Sequence, residues 1–283
     1  MSDKANFTIK PKVWESNFFA KKWGELKWVG NSVNDLIFQS RESIKFELDT
    51  AIADSRDQYE LLEFNATADL FTLVPLLEDT GFRLADSRIS FLTLLDAASL
   101  KKQAFKLDFP QLQIADFSDD LLTEVISLTK KYLTDNKEFI SRYKNPLFFE
   151  NEDVDRYFTT WVTNALKSEA SLSCVLIDRM RKVAGYFIYE KRGLKENIPV
   201  YKGILTVIDE SYRGKSTHLA MQSYLFSRIP ELKFYVDNTT QLTNLPVIRN
   251  HIKSHRRLES LSLTFFKVGN LRSDDDKNNS TLI

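Results

Sequence analysis

Residues 203–220 read GILTVIDESYRGKSTHLA, and they decide how the rest of the chain is interpreted. The first six residues are rich in β-branched side chains and predict a strand, while the continuation HLAMQSYLFSRI predicts a helix. The turn between them carries Arg213, Gly214 and Lys215. Free backbone N–H groups at the start of a helix, flanked by two cations, favour bound anions. The stretch therefore predicts a strand–turn–helix unit that binds a phosphate group.

The phosphate is not expected to be that of a nucleoside triphosphate. The loop that binds triphosphates has the pattern Gly-x-x-x-x-Gly-Lys-Ser/Thr, and Gly214, Lys215 and Ser216 match its end. Its first glycine would fall on Asp209. The Cβ of an aspartate blocks close approach of the backbone, and its carboxylate repels phosphate.

Composition and charge exclude several classes of function. Apolar residues make up 43% of the 283 residues, and 39 basic residues balance 39 acidic ones. A balanced chain has no general attraction for nucleic acid or an acidic membrane, so we expect neither as a partner. The single cysteine, Cys174, and three histidines offer no disulfide and no zinc cluster. The N-terminus lacks an apolar run typical of a signal peptide, so we expect a cytoplasmic protein without a metal.

The order of strand and helix patterns predicts two domains. Residues 1–100 form an N-terminal α/β domain, in which SRESIKFELDTAIADS (40–55) and ADLFTLVPLLEDTGF (68–82) are helices. A Lys-rich segment with a late proline follows, and residues 111–268 form the second domain. The polar tail, 269–283, is predicted to be disordered. The strands are predicted at 25–30, 59–64 and 83–95, then in QLQIADF, SLSCVLID, KVAGYFIYEK, GILTVI, ELKFYVD and LESLSLTFFKV.

The strand–turn–helix unit resembles the main motif of the GCN5-related N-acetyltransferase (GNAT) superfamily. That motif is a strand followed by Arg/Gln-x-x-Gly-x-Gly/Ala, whose amides hold the pyrophosphate of acyl-coenzyme A. Arg213, Gly214 and Lys215 lie on the motif, but Ser216 replaces the usual middle glycine and His218 replaces a small residue. His218 either narrows the site or packs elsewhere. The cofactor-binding residues implied by the resemblance are Val207, Ile208, Arg213, Gly214, Lys215, Ser216, Thr217, His218 and Asn244.

A later helix extends the resemblance. NLPVIRNHIKS (244–254) is similar to the superfamily's Asn-x-x-Ala-x-x-x-Tyr helix, with Asn244 on the asparagine and His251 on the tyrosine. Seven residues are almost two helical turns, so Asn244 and His251 are expected on one face. The resemblance makes both residues candidate catalytic groups.

A third stretch resembles a narrower group, the bacterial N-acyltransferases that act on dTDP-linked amino sugars, of which dTDP-fucosamine acetyltransferase is a member. SRYKNPLFFENEDVDRYFTTWVTNAL (141–166) is similar to their Ser/Thr-Arg-Phe/Tyr…Trp-Ile-x-Asn segment. The acceptor-binding residues implied are Arg142, Tyr143, Trp161 and Asn164. A tryptophan on a helix is more often part of the core, so Trp161 has a structural alternative. WESNFF (14–19) and LLEDTGFRLADSRISF (76–91) resemble these enzymes' small N-terminal domain.

The resemblance implies both a fold and a mechanism. The fold is α/β (α+β), a GNAT domain with a mixed, mostly antiparallel central sheet and a smaller, partly GNAT-like N-terminal α/β domain. An unprotonated amine attacks the thioester directly, and a backbone N–H near Val207 or Ile208 polarises its carbonyl. His251 would protonate the leaving thiolate, or else be a surface histidine of the basic run RNHIKSHRR. Asp209, Glu210 or a water chain would take the proton of the amine.

The function expected is transfer of an acetyl or 3-hydroxybutyryl group from acyl-CoA. The acceptor would be the amino group of a dTDP-linked 3- or 4-amino-dideoxyhexose made for a surface polysaccharide. Two alternatives stay open, a GNAT enzyme for a peptide or small-metabolite amine and a non-catalytic acyl-CoA-binding protein. The sequence is compatible with a homodimer.

Overall fold

A computed structural model describes residues 6–30, 39–96, 100 and 105–269. The chain divides into two compact units, and each is described by itself. Unit 1 comprises residues up to Ser87 and from Leu261 onward, and unit 2 comprises Arg88–Ser260. The unit boundaries thus fall inside strands, whereas the sequence-based domains 1–100 and 111–268 meet in a polar segment. Residues 270–283 of the predicted disordered tail lie outside the described part of the chain.

Unit 1 is a mixed sheet covered by helices. Its strands lie in the order β1-β2-β3-β10, with β2 and β3 parallel and the other neighbours antiparallel. The elements are β1 (Phe7–Pro11), α1 (Val13–Phe19), β2 (Trp23–Trp28), α2 (Arg41–Asp54), β3 (Leu61–Thr67), a 3₁₀ turn (Ala68–Leu73), α3 (Val74–Asp79) and β10 (Leu258–Val268).

Local signals explain most of these boundaries. The Ser40 side chain accepts a hydrogen bond from Ser43 N and starts α2, as an N-cap serine does. Leu48 of α2 and Leu77 of α3 are fully buried in the core of this unit. The single helix predicted over 68–82 was wrong: Pro75 has no backbone N–H to donate, so the chain forms a 3₁₀ turn first and α3 then carries proline in its first turn.

Unit 2 is built on a larger mixed sheet in the order β4-β9-β8-β7-β6-β5. Strands β8 and β9 are parallel, and the other described neighbours are antiparallel. The elements are β4 (Arg83–Asp96), β5 (Leu112–Asp116), α4 (Leu122–Thr129) continued by a π-turn (Lys130–Thr134), α5 (Asn151–Lys167), β6 (Ser171–Asp178), β7 (Val183–Lys195), β8 (Ile198–Ile208), α6 (Thr217–Phe226), β9 (Lys233–Gln241) and α7 (Leu245–Lys253). The predicted α/β class with a mixed, mostly antiparallel sheet is confirmed.

One part of the core of unit 2 lies between this sheet and α6, and α4 and α5 bury further residues. Leu225 of α6 and Phe234 of β9 are fully buried there, and the Phe234 ring lies 5.8 Å from Phe226 and 5.7 Å from Tyr201. The buried residues of α6 surround the helix rather than forming one stripe, because its N-terminal end is also enclosed. The helix that follows the turn at 213–216 is thereby fixed against the sheet.

We expect Phe234→Ala to lower the free energy of unfolding by about 3–5 kcal/mol, since it removes a fully buried ring and leaves a cavity. Leu232→Ala, one residue before the same strand and 80% exposed, is the matched control and should change it by less than about 0.5 kcal/mol. Urea unfolding followed by circular dichroism measures both. Equal losses in the two variants would contradict the assignment of the core.

Candidate functional site

The parallel strands β8 and β9 separate in the middle of unit 2. The parallel pairing of β8 with β9 covers Val200–Lys202 against Tyr235–Asp237. Beyond it, β8 continues against β7 and β9 continues against β4. We call the opening between 203–208 of β8 and 238–241 of β9 the wedge. Open α/β sheets bind ligands beyond the carboxyl ends of strands, at a point where neighbouring strands diverge.

A β-bulge bends β8 where the wedge begins. Ile188 pairs with Leu205 and Tyr189 pairs with Gly203, so Ile204 is the extra residue of β8. Bulges of this kind re-aim a strand and are frequent next to active sites. Val207 and Ile208, predicted to lie beside the thioester, follow the bulge as buried residues paired with Tyr186 and Gly185.

The turn after β8 is left-handed over three successive residues. Gly214, Lys215 and Ser216 have φ values of 82°, 41° and 62°. Glycine adopts this conformation readily, whereas lysine and serine are strained in it. Helix α6 then starts at Thr217, whose Oγ1 donates a 3.0 Å hydrogen bond to Gly214 O. The turn therefore has the shape that a glycine-rich loop would give, even though Ser216 stands where the motif has glycine.

Contacts with the end of α4 hold the preceding residues. Lys131 Nζ donates to Asp209 Oδ2 at 2.9 Å, and Glu210 N donates to the Tyr132 hydroxyl at 2.9 Å. Arg213 Nε donates to Ile208 O at 2.9 Å, and its guanidinium lies 4.7 Å from the Tyr132 ring. Burial opposes ionisation of Asp209, but the hydrogen bonds from Lys131 and Ser211 outweigh it and lower its pKa to about 2. Asp209 is therefore an ionised anchor of the turn and a weak base.

Lysine side chains surround the turn. Lys253, from the end of α7, donates from Nζ to Ser216 Oγ at 3.1 Å. Lys215 Nζ lies 4.9 Å from the centre of the Phe109 ring, and both lysines are exposed. With Arg213 they give the start of α6 a local positive charge, which adds to the helix dipole.

The two histidines of the predicted site are buried and lie close together. The His218 and His251 rings lie 6.1 Å apart and at right angles, and they also contact Phe187 at 5.0 Å and Phe91 at 4.7 Å, respectively. His218 is therefore buried against Phe187 and is not exposed at the turn. His251, only 2% exposed, is not the surface residue of a basic run. Asn244 is the N-cap residue of α7, at the opposite end of that helix.

Burial keeps both imidazoles neutral. It lowers the pKa of His218 to about 4, with a further contribution from the charge of Arg256. Burial also lowers the pKa of His251 to about 3, helped by His218 and Arg256. A neutral imidazole is a poor proton donor near pH 7, so the acid role predicted for His251 has no support from its protonation state.

The predicted acceptor residues lie on α5 or close to it, where several aromatic side chains pack together. Arg142 Nη2 donates to the Tyr143 hydroxyl at 2.8 Å, and the Tyr143 ring stacks on Tyr157 at 4.2 Å. Trp161 packs against Tyr157 at 5.9 Å, while Asn164 is exposed on α5. Gln241, the last residue of β9, donates to Ile140 O. This bond brings the segment before Arg142 to the carboxyl end of β9, where the wedge opens.

A buried polar chain was missed by the sequence analysis. Gln222 Nε2 donates to the Tyr189 hydroxyl at 2.6 Å, and that hydroxyl donates to Asn238 Oδ1 at 2.7 Å. Arg256 Nη2 lies 3.4 Å from Gln222 Oε1. One signal could have revealed it: His218 and Gln222 are spaced by four residues in a largely apolar part of the helix, and so share one face.

Two further properties of the described part of the chain concern metal ligands and membrane spans. Within it, His, Cys, Asp and Glu form no group of three or more that could hold a metal ion. No helix in those residues combines the length and apolar character needed to cross a bilayer.

Comparison with known proteins identifies the fold. No protein-family model matches the chain, and no curated protein sequence matches it. A conserved protein of unknown function from Staphylococcus epidermidis superposes with a TM-score of 0.58 at 11% identity, covering 95% of this chain and 93% of that one. A tandem GNAT protein from the clavulanic acid biosynthesis pathway gives 0.53 at 9% identity, covering 89% and 76%. A GCN5-related N-acetyltransferase from Sphaerobacter thermophilus gives 0.51 at 10% identity, covering 93% and 76%.

We expect the stability of the protein to fall as the pH drops below about 6.5. Unfolded histidine takes up a proton near that pH, whereas the folded pKa values of His218 and His251 are about 4 and 3. Between pH 7.5 and 5 each histidine should lower the free energy of unfolding by about 2 kcal/mol. Urea unfolding at the two pH values tests this, with His218→Gln losing about half of the difference. An unchanged pH dependence in that variant would contradict the buried neutral state of His218.

The diverging parallel strands, the left-handed turn and the superpositions together show that this chain has the fold of the GCN5-related N-acetyltransferases.

Proposed function

We propose that the protein is an acyl-CoA-dependent N-acyltransferase. The observation that carries the proposal is the left-handed turn at Gly214–Ser216, which follows the bulged strand β8 and opens α6 beside the wedge. The first N–H groups of a helix have no helical partner and can hold phosphate oxygens. A pyrophosphate on this turn would leave the extended arm of coenzyme A free to run along 203–208.

The cations beside the turn have two different roles. The Arg213 guanidinium bonds to Ile208 O and stacks on Tyr132, so it fixes the turn while contributing positive charge. Lys215 and Lys253 are exposed and can reach phosphate oxygens directly. Thr217 and His218 begin the helix, and Asn244 begins α7. We assign the pyrophosphate and 3′-phosphate of coenzyme A to this group of residues.

The acceptor we propose is the amine of a dTDP-linked 3- or 4-amino-dideoxyhexose, and the donor acetyl-CoA or 3-hydroxybutyryl-CoA. The resemblance of residues 141–166 to sugar N-acyltransferases supports this choice. The bond from Gln241 to Ile140 O supports it further, because it holds the segment leading to Arg142 and Tyr143 beside the wedge. A guanidinium suits a bidentate contact with phosphate, and a tyrosine ring suits a base or sugar.

The charges in the site determine which groups we propose as proton acceptor and proton donor. Asp209 is held by Lys131 and has a pKa of about 2, so it is a poor acceptor for the proton of the amine. Burial raises the pKa of Asp237, which ends the parallel pairing beside the wedge. A carboxylate with a raised pKa is the better base. We therefore favour Asp237, acting through water, as the acceptor of the ammonium proton, with Glu210 of the neighbouring turn as the alternative. After the neutral amine has attacked, the positively charged nitrogen of the tetrahedral intermediate, or solvent, gives a proton to the departing thiolate.

A non-catalytic acyl-CoA-binding protein is the second candidate. It is favoured by the neutral, buried His251, which stands where the superfamily has a tyrosine proton donor. The two candidates share the cofactor site and differ in turnover.

We expect free thiol to be released when acetyl-CoA or 3-hydroxybutyryl-CoA is mixed with the protein and a dTDP-linked amino-dideoxyhexose. A thiol reagent measures the rate, and the same nucleotide linked to the non-aminated sugar is the control, because it lacks the attacking nitrogen. Coenzyme A binding in a calorimeter without thiol release across 3-amino and 4-amino sugars would favour the non-catalytic protein. Absence of coenzyme A binding would overturn both candidates.

We expect Gly214→Ala to weaken coenzyme A binding about tenfold or more, because alanine resists φ of 82° and the turn would re-form with its N–H groups misdirected. Gly193→Ala is the matched control: Gly193 has φ of 71°, and a Cβ at either glycine meets no atom within 4 Å. The two variants should lose similar stability in thermal unfolding. Equal coenzyme A affinity in both would remove the turn from the cofactor site.

A further inference from the structure

Buried polar atoms that lack a protein partner form a cluster that reaches the floor of the wedge, the point where β8 and β9 separate. Among the described residues, the buried atoms without a hydrogen-bond partner include Asn238 Nδ2, Arg256 Nε and Nη1, and Nδ1 of both His218 and His251. Asn238, His218 and His251 are 5%, 9% and 2% exposed. Leaving a buried donor unpaired is unfavourable, so such atoms mark the place of a polar ligand group or of ordered water.

Asn238 lies at the floor itself. Gly203 and Asn238 are the first residues of β8 and β9 beyond the parallel pairing, which ends at Lys202 and Asp237. A Cβ on Gly203 would come within 2.7 Å of Asn238 Oδ1, so the amide occupies the side-chain space of residue 203. The Tyr189 hydroxyl donates to this oxygen and so turns the amide with Nδ2 as its spare donor.

The positive charge of Arg256 indicates what kind of ligand the cluster would bind. The guanidinium of Arg256 contacts the Gln222 amide and lies 5.2 Å from the Phe226 ring, and the described salt bridges pair it with no carboxylate. It is nevertheless close enough to lower the pKa of both histidines, which are themselves neutral. A desolvated cation beside unpaired donors favours an anionic acceptor.

We infer that Arg256, together with Asn238, His218 and His251, forms a subsite for a carboxylate carried by a ligand in the wedge. Nε and Nη1 point to different sides of a guanidinium, so Arg256 offers the carboxylate one charged hydrogen bond from either atom, and Asn238 Nδ2 offers a second bond. The inference rests on the proposed function, since the wedge is where the acyl thioester and the amine would meet. The subsite deepens the acyl-CoA-dependent transfer and revises one of its substrates. The carboxylate belongs either to the acyl donor, as the monothioester of a dicarboxylic acid in place of acetyl-CoA or 3-hydroxybutyryl-CoA, or to an acceptor amine that carries a carboxylate in place of the dideoxy sugar.

Calorimetry with coenzyme A, butyryl-CoA and succinyl-CoA tests the donor as the source. The two thioesters have four-carbon acyl chains and differ in a terminal carboxylate. We expect succinyl-CoA to bind about tenfold or more tightly than butyryl-CoA. Arg256→Met should abolish the difference. Arg257→Met, the matched control at the next and exposed residue, should keep it.

The acceptor arm uses the protein saturated with acetyl-CoA and compares L-leucine with L-leucinamide. Tighter binding of leucine that disappears in Arg256→Met, with no difference between the thioesters, assigns the carboxylate to the acceptor. Arg256→Lys keeps the cation but not the planar guanidinium. It should weaken either preference without abolishing it, and so serves if the methionine variant fails to fold.

The possible results distinguish failure of the carboxylate subsite from failure of the proposed function. Coenzyme A binding with no carboxylate preference in either arm, or a preference that survives in Arg256→Met, overturns the subsite and leaves the proposed function standing. The cluster is then a hydrated part of the core. Absence of coenzyme A and acetyl-CoA binding to the unaltered protein overturns the proposed function and the subsite with it.

Discussion

The short parallel pairing of β8 with β9 is the constraint on which the site depends. Backbone N–H and C=O groups in a sheet need partners, and after Lys202 the edge of β8 that faced β9 loses that neighbour. The bulge at Ile204 keeps β8 bonded to β7 while its other edge turns away. An extended ligand with amide groups can complete such an edge as an added strand would. The wedge thus offers backbone hydrogen bonds without any special side chain.

The turn after β8 depends on its anchors in the same way. Left-handed φ values at Lys215 and Ser216 are unfavourable, so the surrounding contacts must hold them. Tyr132, at the end of α4, provides two such contacts: its hydroxyl accepts from Glu210 N and its ring lies against Arg213. Lys253 adds a hydrogen bond to Ser216 from α7. The anchors lie on elements distant in sequence, so the turn keeps its shape without the second glycine of the motif.

The sequence predicted those features of the structure that depend on residues near one another in the chain. The helix at Arg41–Asp54, the part of β8 over 203–208 and the turn at Gly214 follow from caps, β-branched runs and glycine, and they were predicted, whereas the first part of β8 was not. The environment of His251 could not be found that way. Its neighbours in sequence are basic, whereas its neighbours in space are Phe91 and His218, brought there by β4 and α6. A pKa set by burial depends on such long-range packing, so a basic run predicted the wrong surroundings. Arg256 was overlooked for the same reason.

The buried polar cluster is unfavourable for stability unless a ligand group or ordered water pairs with its donors. Each unpaired buried donor costs about 1–3 kcal/mol, and an apolar residue of similar shape at position 238 or 256 would avoid it. The Tyr189–Gln222 pair alone would satisfy its own groups, yet Asn238 and Arg256 extend it to both sides. The extension ends at Gly203, where the absence of a side chain lets the Asn238 amide reach the floor of the wedge. Stability argues for removing these donors, whereas recognition of a ligand argues for keeping them. Their position where the two strands diverge is the reason to assign them to recognition.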